Sequence, residues 1–215
     1  SEGIKMKSKY FSLLLIAIIG FSFLSCATGG TFPIHLKYQP GREFPSLQQK
    51  LGATLGIAPF KDERSDTLYI GHHTSLRGIS SYFKSDPYPL EKAIEESITN
   101  ILSRYGIKTI SIPNWDGKPE SLKNLEVDSV LMIEIKRFWT EGRAETFRTN
   151  VNTSIYLNIH LGAKKEGKVF SKKVYVNKEI TLARLTPERV EQMINQTLTE
   201  IFDSFFSDPY EISST

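Results

Sequence analysis

The segment TNVNTSIYLNIHL (Thr149 to Leu161) decides the fold class. Val151, Ile155, Leu157, Ile159 and Leu161 fall on one side of an extended chain, and Asn152, Ser154, Asn158 and His160 fall on the other. Alternation with a period of two marks a strand with one dry and one wet face. The flanking sequence continues the pattern. Ser129 to Trp139 sets Leu131, Ile133 and Ile135 against Glu134 and Lys136. Downstream, Lys164-Lys165-Glu166-Gly167 makes a hairpin turn into a third strand, Lys168 to Leu182.

A dry sheet face needs a cover, and two helices supply it. Leu90, Ala93, Ile94, Ile98, Ile101, Leu102 and Tyr105 recur at three- and four-residue spacing, with Pro89 suited to the first turn and Gly106 placed to end the helix. Thr186 and Pro187 open a second helix that runs to Ser207 with Val190, Met193, Ile194, Leu198, Ile201 and Phe205 on one stripe. Phe202, Phe205 and Phe206 point in three directions, which predicts a helix end buried on two sides. Shorter strands are expected at Thr54 to Phe60 and Ile107 to Ile112, with a polar loop carrying Gly71, His72, His73, Gly78, Ser80 and Ser81 between them. The predicted class is α+β: a two-layer sandwich in which two helices pack on one face of a mostly antiparallel sheet. Residues 50–210 form its single domain, and 211–215 are a tail.

The N-terminus carries a different signal. Lys5, Lys7 and Lys9 precede an uncharged apolar run from Tyr10 to Leu24, too short for the roughly 18 to 20 residues of a membrane-spanning helix. A basic start, a short apolar middle and small Ser25 before Cys26 predict a signal peptide over residues 1–25. Phe23-Leu24-Ser25-Cys26 resembles a lipobox, with Phe23 where Leu is usual. Cys26 is the only cysteine, so it has no internal disulfide partner, and lipid attachment accounts for an exported thiol. Residues 26–49, punctuated by Pro33, Pro40, Gly41 and Pro45, are expected to be a lipidated, flexible tether, with Ile34 to Tyr38 as a candidate short edge strand. Removing three lysines and one glutamate with the signal takes the formal net charge from +3 to +1, so no basic footprint calls for nucleic acid.

Catalytic signatures are missing from the sequence: it has no G-x-S-x-G elbow, phosphate loop or H-E-x-x-H. A non-enzymatic protein without cofactor or metal is expected, since His72 and His73 point apart on an extended chain and nothing is spaced to complete a shell. The partner-binding candidates are Asp62, Arg64, Asp66 and Gly71 in the loop after the first strand, with Phe138 and Trp139 at a strand end. Asp62 and Arg64 fit equally well as a turn in which carboxylate and guanidinium pair, and Phe138 and Trp139 fit as core or edge cover.

These motifs, taken in order, resemble the YajG-like family of outer-membrane lipoproteins. The resemblance runs through the lipobox, Asp62-Glu63-Arg64-Ser65-Asp66 with Ile70-Gly71, Leu102-Ser103-Arg104-Tyr105-Gly106, Phe138-Trp139 and a helix finishing near Asp208. It implies a lipoprotein anchored through Cys26 in the outer membrane, facing the periplasm, with no established enzymatic role and an envelope protein as partner. The architecture is also similar to the amino-terminal domain of TolB and to lipoprotein activators of cell-wall synthases. The alternative function is a binder or carrier of lipid or peptidoglycan fragments in a groove between sheet and helices. A sealed core there favours the first reading, and an open apolar cleft the second.

Overall fold

The structure, a computed structural model, describes residues 29–210. The signal peptide expected at 1–25, Cys26 and the tail expected at 211–215 lie outside the described residues. The fold is mixed α/β, with nine strands in one sheet. In chain order these are β1 (Thr31–His35), β2 (Thr54–Ile57), β3 (Lys61–Asp62), β4 (Gly71–Thr74), β5 (Ser80–Asp86), β6 (Lys108–Ser111), β7 (Ser129–Ala144), β8 (Thr149–Ala163) and β9 (Lys168–Leu182). The helices are α1 (Leu47–Leu51), α2 (Leu90–Leu102), α3 (Pro119–Leu122) and α4 (Pro187–Ser207).

The expected triple-strand meander is present as β7-β8-β9, and β7 is the spine of the sheet. One edge of β7 pairs with β8 in antiparallel register along its length. The other edge is used in succession by β2, β3 and β4, all parallel to it. The β1–β5 and β2–β6 pairs are parallel as well. The expectation of a mostly antiparallel sheet is therefore corrected: the long meander is antiparallel, but the short strands join it mainly in parallel. Alternation within a strand reports its faces and not the direction of its neighbours, which depends on connections that run over the sheet.

The two expected helices cover one face of this sheet. Leu90, Ala93, Ile94, Ile98, Ile101 and Leu102 of α2 are buried, as are Val190, Ile194, Leu198, Ile201 and Phe205 of α4. They form one core with Leu131, Ile133, Ile135, Ile155, Leu157 and Ile159 of the sheet. Thr186 caps α4 by accepting from the Arg189 backbone N–H at 3.3 Å, and a 3-10 turn at Ser103–Tyr105 closes α2 before Gly106 at φ 71°. On the other face, Trp115 and Leu122 pack on Ala58, Val130 and Met132 as a small second core over the start of β7.

The predicted tether is shorter than expected, because the chain is built into the fold from Thr31 onward. Ile34, Leu36, Tyr38, Phe44 and Leu47 are buried. One edge of β1 pairs with β5. Beyond that edge the backbone is met by a row of α4 side chains spaced four residues apart. Glu191 accepts from His35 N–H at 2.9 Å, and Asn195 bonds Lys37 N–H and His35 C=O at 2.9 and 3.0 Å. Thr199 donates to Gln39 C=O at 3.0 Å. Asp203 accepts from Gly41 N–H at 2.9 Å and from the Tyr38 hydroxyl at 2.8 Å. Tyr38 and Phe44 then meet Phe202 and Phe206 ring to ring. This is the second side of burial that the phenylalanines at the end of α4 required. Prolines at 33, 40 and 45 suggested a leader because they interrupt strand pairing, yet a helix can satisfy such a backbone with its side chains.

Candidate binding surface

Most of the predicted partner residues turn out to build the loop after β2 and not to display it. Arg64 folds inward: Nη2 and Nε reach the Asp62 carboxylate at 2.7 and 2.8 Å. Its Nη1 donates to the Tyr69 and Phe138 carbonyls at 2.7 and 3.1 Å. Both side chains are nearly closed to water, at 6% and 5% exposure. The guanidinium fork thereby fastens the 63–70 loop to β7. Asp66 is exposed and holds the turn by accepting from Leu68 and Tyr69 N–H. Gly71 is buried, and a Cβ there would stand 2.1 Å from the Thr140 carbonyl oxygen, so the close approach of β4 to β7 demands glycine.

Phe138 and Trp139 do not end a strand. Strand β7 continues to Ala144 because β4 and β8 pair with it on both edges. A bulge at Lys136 shifts the register between Ile135 and Arg137 and reverses which side of the strand faces the core. Phe138 consequently enters the core at 1% exposure, whereas Trp139 joins the opposite face. An ionic cluster sits at this bulge. Lys136 bridges Glu63 and Glu134, Asn158 donates to Glu134 at 3.2 Å, and His160 Nε2 lies 3.6 Å from the same carboxylate. Burial pushes the Glu134 carboxyl up, but the hydrogen bonds from Lys136 and Asn158, with the charges of His160 and Lys136, outweigh it and hold its pKa at about 2.

The structure adds three rings that the sequence reading placed in a loop. His72 lies 5.7 Å from Trp139 and 6.2 Å from Tyr82, centroid to centroid, and Tyr82 stacks on Tyr69 at 4.6 Å. Cross-strand register carries the series over the sheet. Tyr82 pairs with His72, Arg137 beside Trp139 pairs with Tyr156, and Tyr156 pairs with Tyr175. Tyr82 and Tyr175 are 38% and 64% exposed. The missed signal is the alternation in Ser80–Asp86, where Phe83 and Ser85 are buried while Tyr82 and Lys84 are not. His72 faces outward and His73 inward, as adjacent strand residues do. Burial, then the charge of His72, pulls the His73 pKa down. Among the described residues no three His, Cys, Asp or Glu side chains group to hold a metal.

The face toward the helices is sealed, with Ile98, Ile133, Ile155 and Leu198 at 0% exposure. A cavity of about 630 Å³ lies instead at one end of the sandwich, lined among others by Phe32, Leu76, Phe147 and Leu185. Among the described residues no helix is long and apolar enough to cross a membrane.

The fold is similar to that of protein XCC0632 from Xanthomonas campestris, of the DUF330 family. The TM-score is 0.55 at 14% identity, covering 84% of this chain and 94% of that one. A candidate neuraminyllactose-binding hemagglutinin homolog from Helicobacter pylori gives a TM-score of 0.41 at 14% identity over 82% of this chain and 91% of that one. Lipoprotein GNA1162 from Neisseria meningitidis gives 0.37 at 12% identity over 70% and 98%. The Xanthomonas likeness establishes a shared fold. The sequence matches no protein-family model and no curated protein.

Proposed function

We propose that this protein is a non-enzymatic lipoprotein of the cell envelope, held by lipid on Cys26 in the outer membrane on its periplasmic side, that binds another envelope protein. The observation that carries the binding reading is the part of the outer sheet face beyond the small Trp115–Leu122 core, where Tyr69, His72, Tyr82 and Trp139 form one aromatic surface. Trp and Tyr are enriched among the residues that dominate interface energies, because they offer large rigid areas with a polar handle. The sealed core argues against a ligand held between helices and sheet. The YajG-like motif order supports the outer-membrane assignment.

A photo-crosslinking residue in place of Tyr82, in intact cells, should capture a discrete envelope protein, and the same residue in place of Gln192 on the exposed side of α4 should not. Trp139→Ala in the Tyr82 crosslinker strain should cut capture strongly, since an interface anchor carries about 2 kcal/mol or more. Equal capture from both positions, or capture indifferent to Trp139 in a variant that melts normally, would assign the partner elsewhere.

Anchoring has its own test. Cys26→Ala should abolish incorporation of a palmitate analogue and move the protein out of the lipid-modified membrane fraction. Continued labelling of that variant would show that the lipid sits on another residue.

A further inference from the structure

The end of the sandwich where the described chain begins differs in chemistry from the rest of the surface. Gly29 lies so close to Ser80 that a Cβ would stand 1.9 Å from its carbonyl oxygen, and Gly30 C=O accepts from Tyr82 N–H at 2.8 Å. The chain therefore enters the fold beside the turn of the β4–β5 hairpin, where Thr74 pairs with Ser80. The tip of that hairpin presents Leu76 at 63% exposure, and the tip of the β7–β8 hairpin presents Phe147 at 90%. Both tips, Phe32 and the β9–α4 connection line the same 630 Å³ cavity, so they are neighbours at one end of the molecule. Arg77, Arg148 and Arg184 are exposed on the same three segments, and Glu145, which pairs with Arg148, is the one carboxylate among their lining and tip residues. Phe147 in particular buries little of its ring in the fold.

We propose that this end is a peripheral membrane contact, in which Leu76 and Phe147 enter the headgroup region while Arg77, Arg148 and Arg184 bind anionic lipid phosphates. The inference rests on anchoring at Cys26. Gly29 follows Cys26 by three positions, and extended chain spans at most about 3.6 Å per residue, so a lipid there holds this end within roughly 10 Å of the bilayer interface. Apolar tips ringed by cations match that interface, where aliphatic and aromatic groups sit about 5–10 Å deep and basic residues meet phosphates. The Tyr82–Trp139 face then stands beside the membrane and stays open to a periplasmic partner.

The test uses the full-length lipidated chain reconstituted into phosphatidylcholine–phosphatidylglycerol vesicles with brominated acyl chains, which quench nearby tryptophan. Two variants, Phe147→Trp and Tyr175→Trp, are compared with the parent, whose own tryptophans set the background. The added emission of the first should be largely quenched, and that of the second, on the sheet face, should not. Replacing Arg77, Arg148 and Arg184 together by Glu in the Phe147→Trp chain should leave it floating with vesicles through its lipid while much of the quenching is lost. Flotation without quenching at 147 overturns the contact and leaves the anchor standing, and a crosslinked dimer in that sample would give the tips to a second copy. Failure to float overturns both readings.

Discussion

Arg64→Ala is expected to cost about 3–5 kcal/mol of folding stability, the loss typical when one partner of a buried ion pair is removed. The Asp62 carboxylate is 5% exposed, and without the guanidinium it keeps a backbone N–H of its own loop and little else to offset its charge. Two carbonyls, Tyr69 and Phe138, lose their donor in the same step. Arg64→Lys should recover only part of the loss, because an ammonium cannot reach the carboxylate and both carbonyls as a planar fork does. Removing both charges, as Asp62→Leu with Arg64→Met, should be milder than Arg64→Ala alone, since no buried charge is then left unpaired. Urea unfolding midpoints check the series. A cost for Arg64→Ala below about 1 kcal/mol, the range of solvent-exposed pairs, would show that water reaches the site.

Leu198→Asp should prevent cooperative folding at room temperature. Leu198 is at 0% exposure between α4 and the sheet, and an ionised carboxylate there costs several kcal/mol. The whole stability of a domain is about 5–15 kcal/mol. Ile98→Asp on α2 should behave alike, as both side chains belong to the same core. Gln196→Asp, on the exposed side of α4, should change stability by about 0.5 kcal/mol or less. Glu191 is no such control although it too lies off the apolar stripe, because it accepts the His35 backbone N–H. Thermal melts followed by circular dichroism separate these outcomes. A cooperative melt of Leu198→Asp near the parent's would mean that α4 does not cover the sheet through this face.

The layers of the fold were legible wherever a repeat in the sequence reports a buried side. The α2 and α4 stripes, the β8 alternation and the turn at Gly167 all follow from period and turn chemistry within a single segment. Two things were not legible that way. Strands β4 and β5 read as a polar loop because their outward residues, His72, Thr74, Ser80 and Tyr82, dilute the one large apolar side chain, Phe83, that they bury. Their parallel and antiparallel neighbours come from distant parts of the chain, which no local period can show. The candidate site suffered from the same blindness. Trp139 stands out by its type, but its surroundings depend on the Lys136 bulge that splits it from Phe138. The bulge shows in the numbering: Leu131, Ile133 and Ile135 are odd and Phe138 is even, yet all four enter the same core, which a regular strand does not allow. Asp62 and Arg64 stand out in the sequence for their charge, yet only the fold shows that they pair with each other.

The row of α4 side chains along residues 35–41 fixes an order of assembly. Its bonds join positions 156 to 165 residues apart in sequence. Contacts of such separation form late, because the intervening chain must first be closed into a loop. A polypeptide made from its amino end therefore carries residues 35–41 without their α4 partners until that helix exists, although β5, which pairs with β1, is made long before. During that interval Tyr38 and Phe44 lack their ring partners on α4, so a chaperone that escorts the nascent chain would find its binding stretch there.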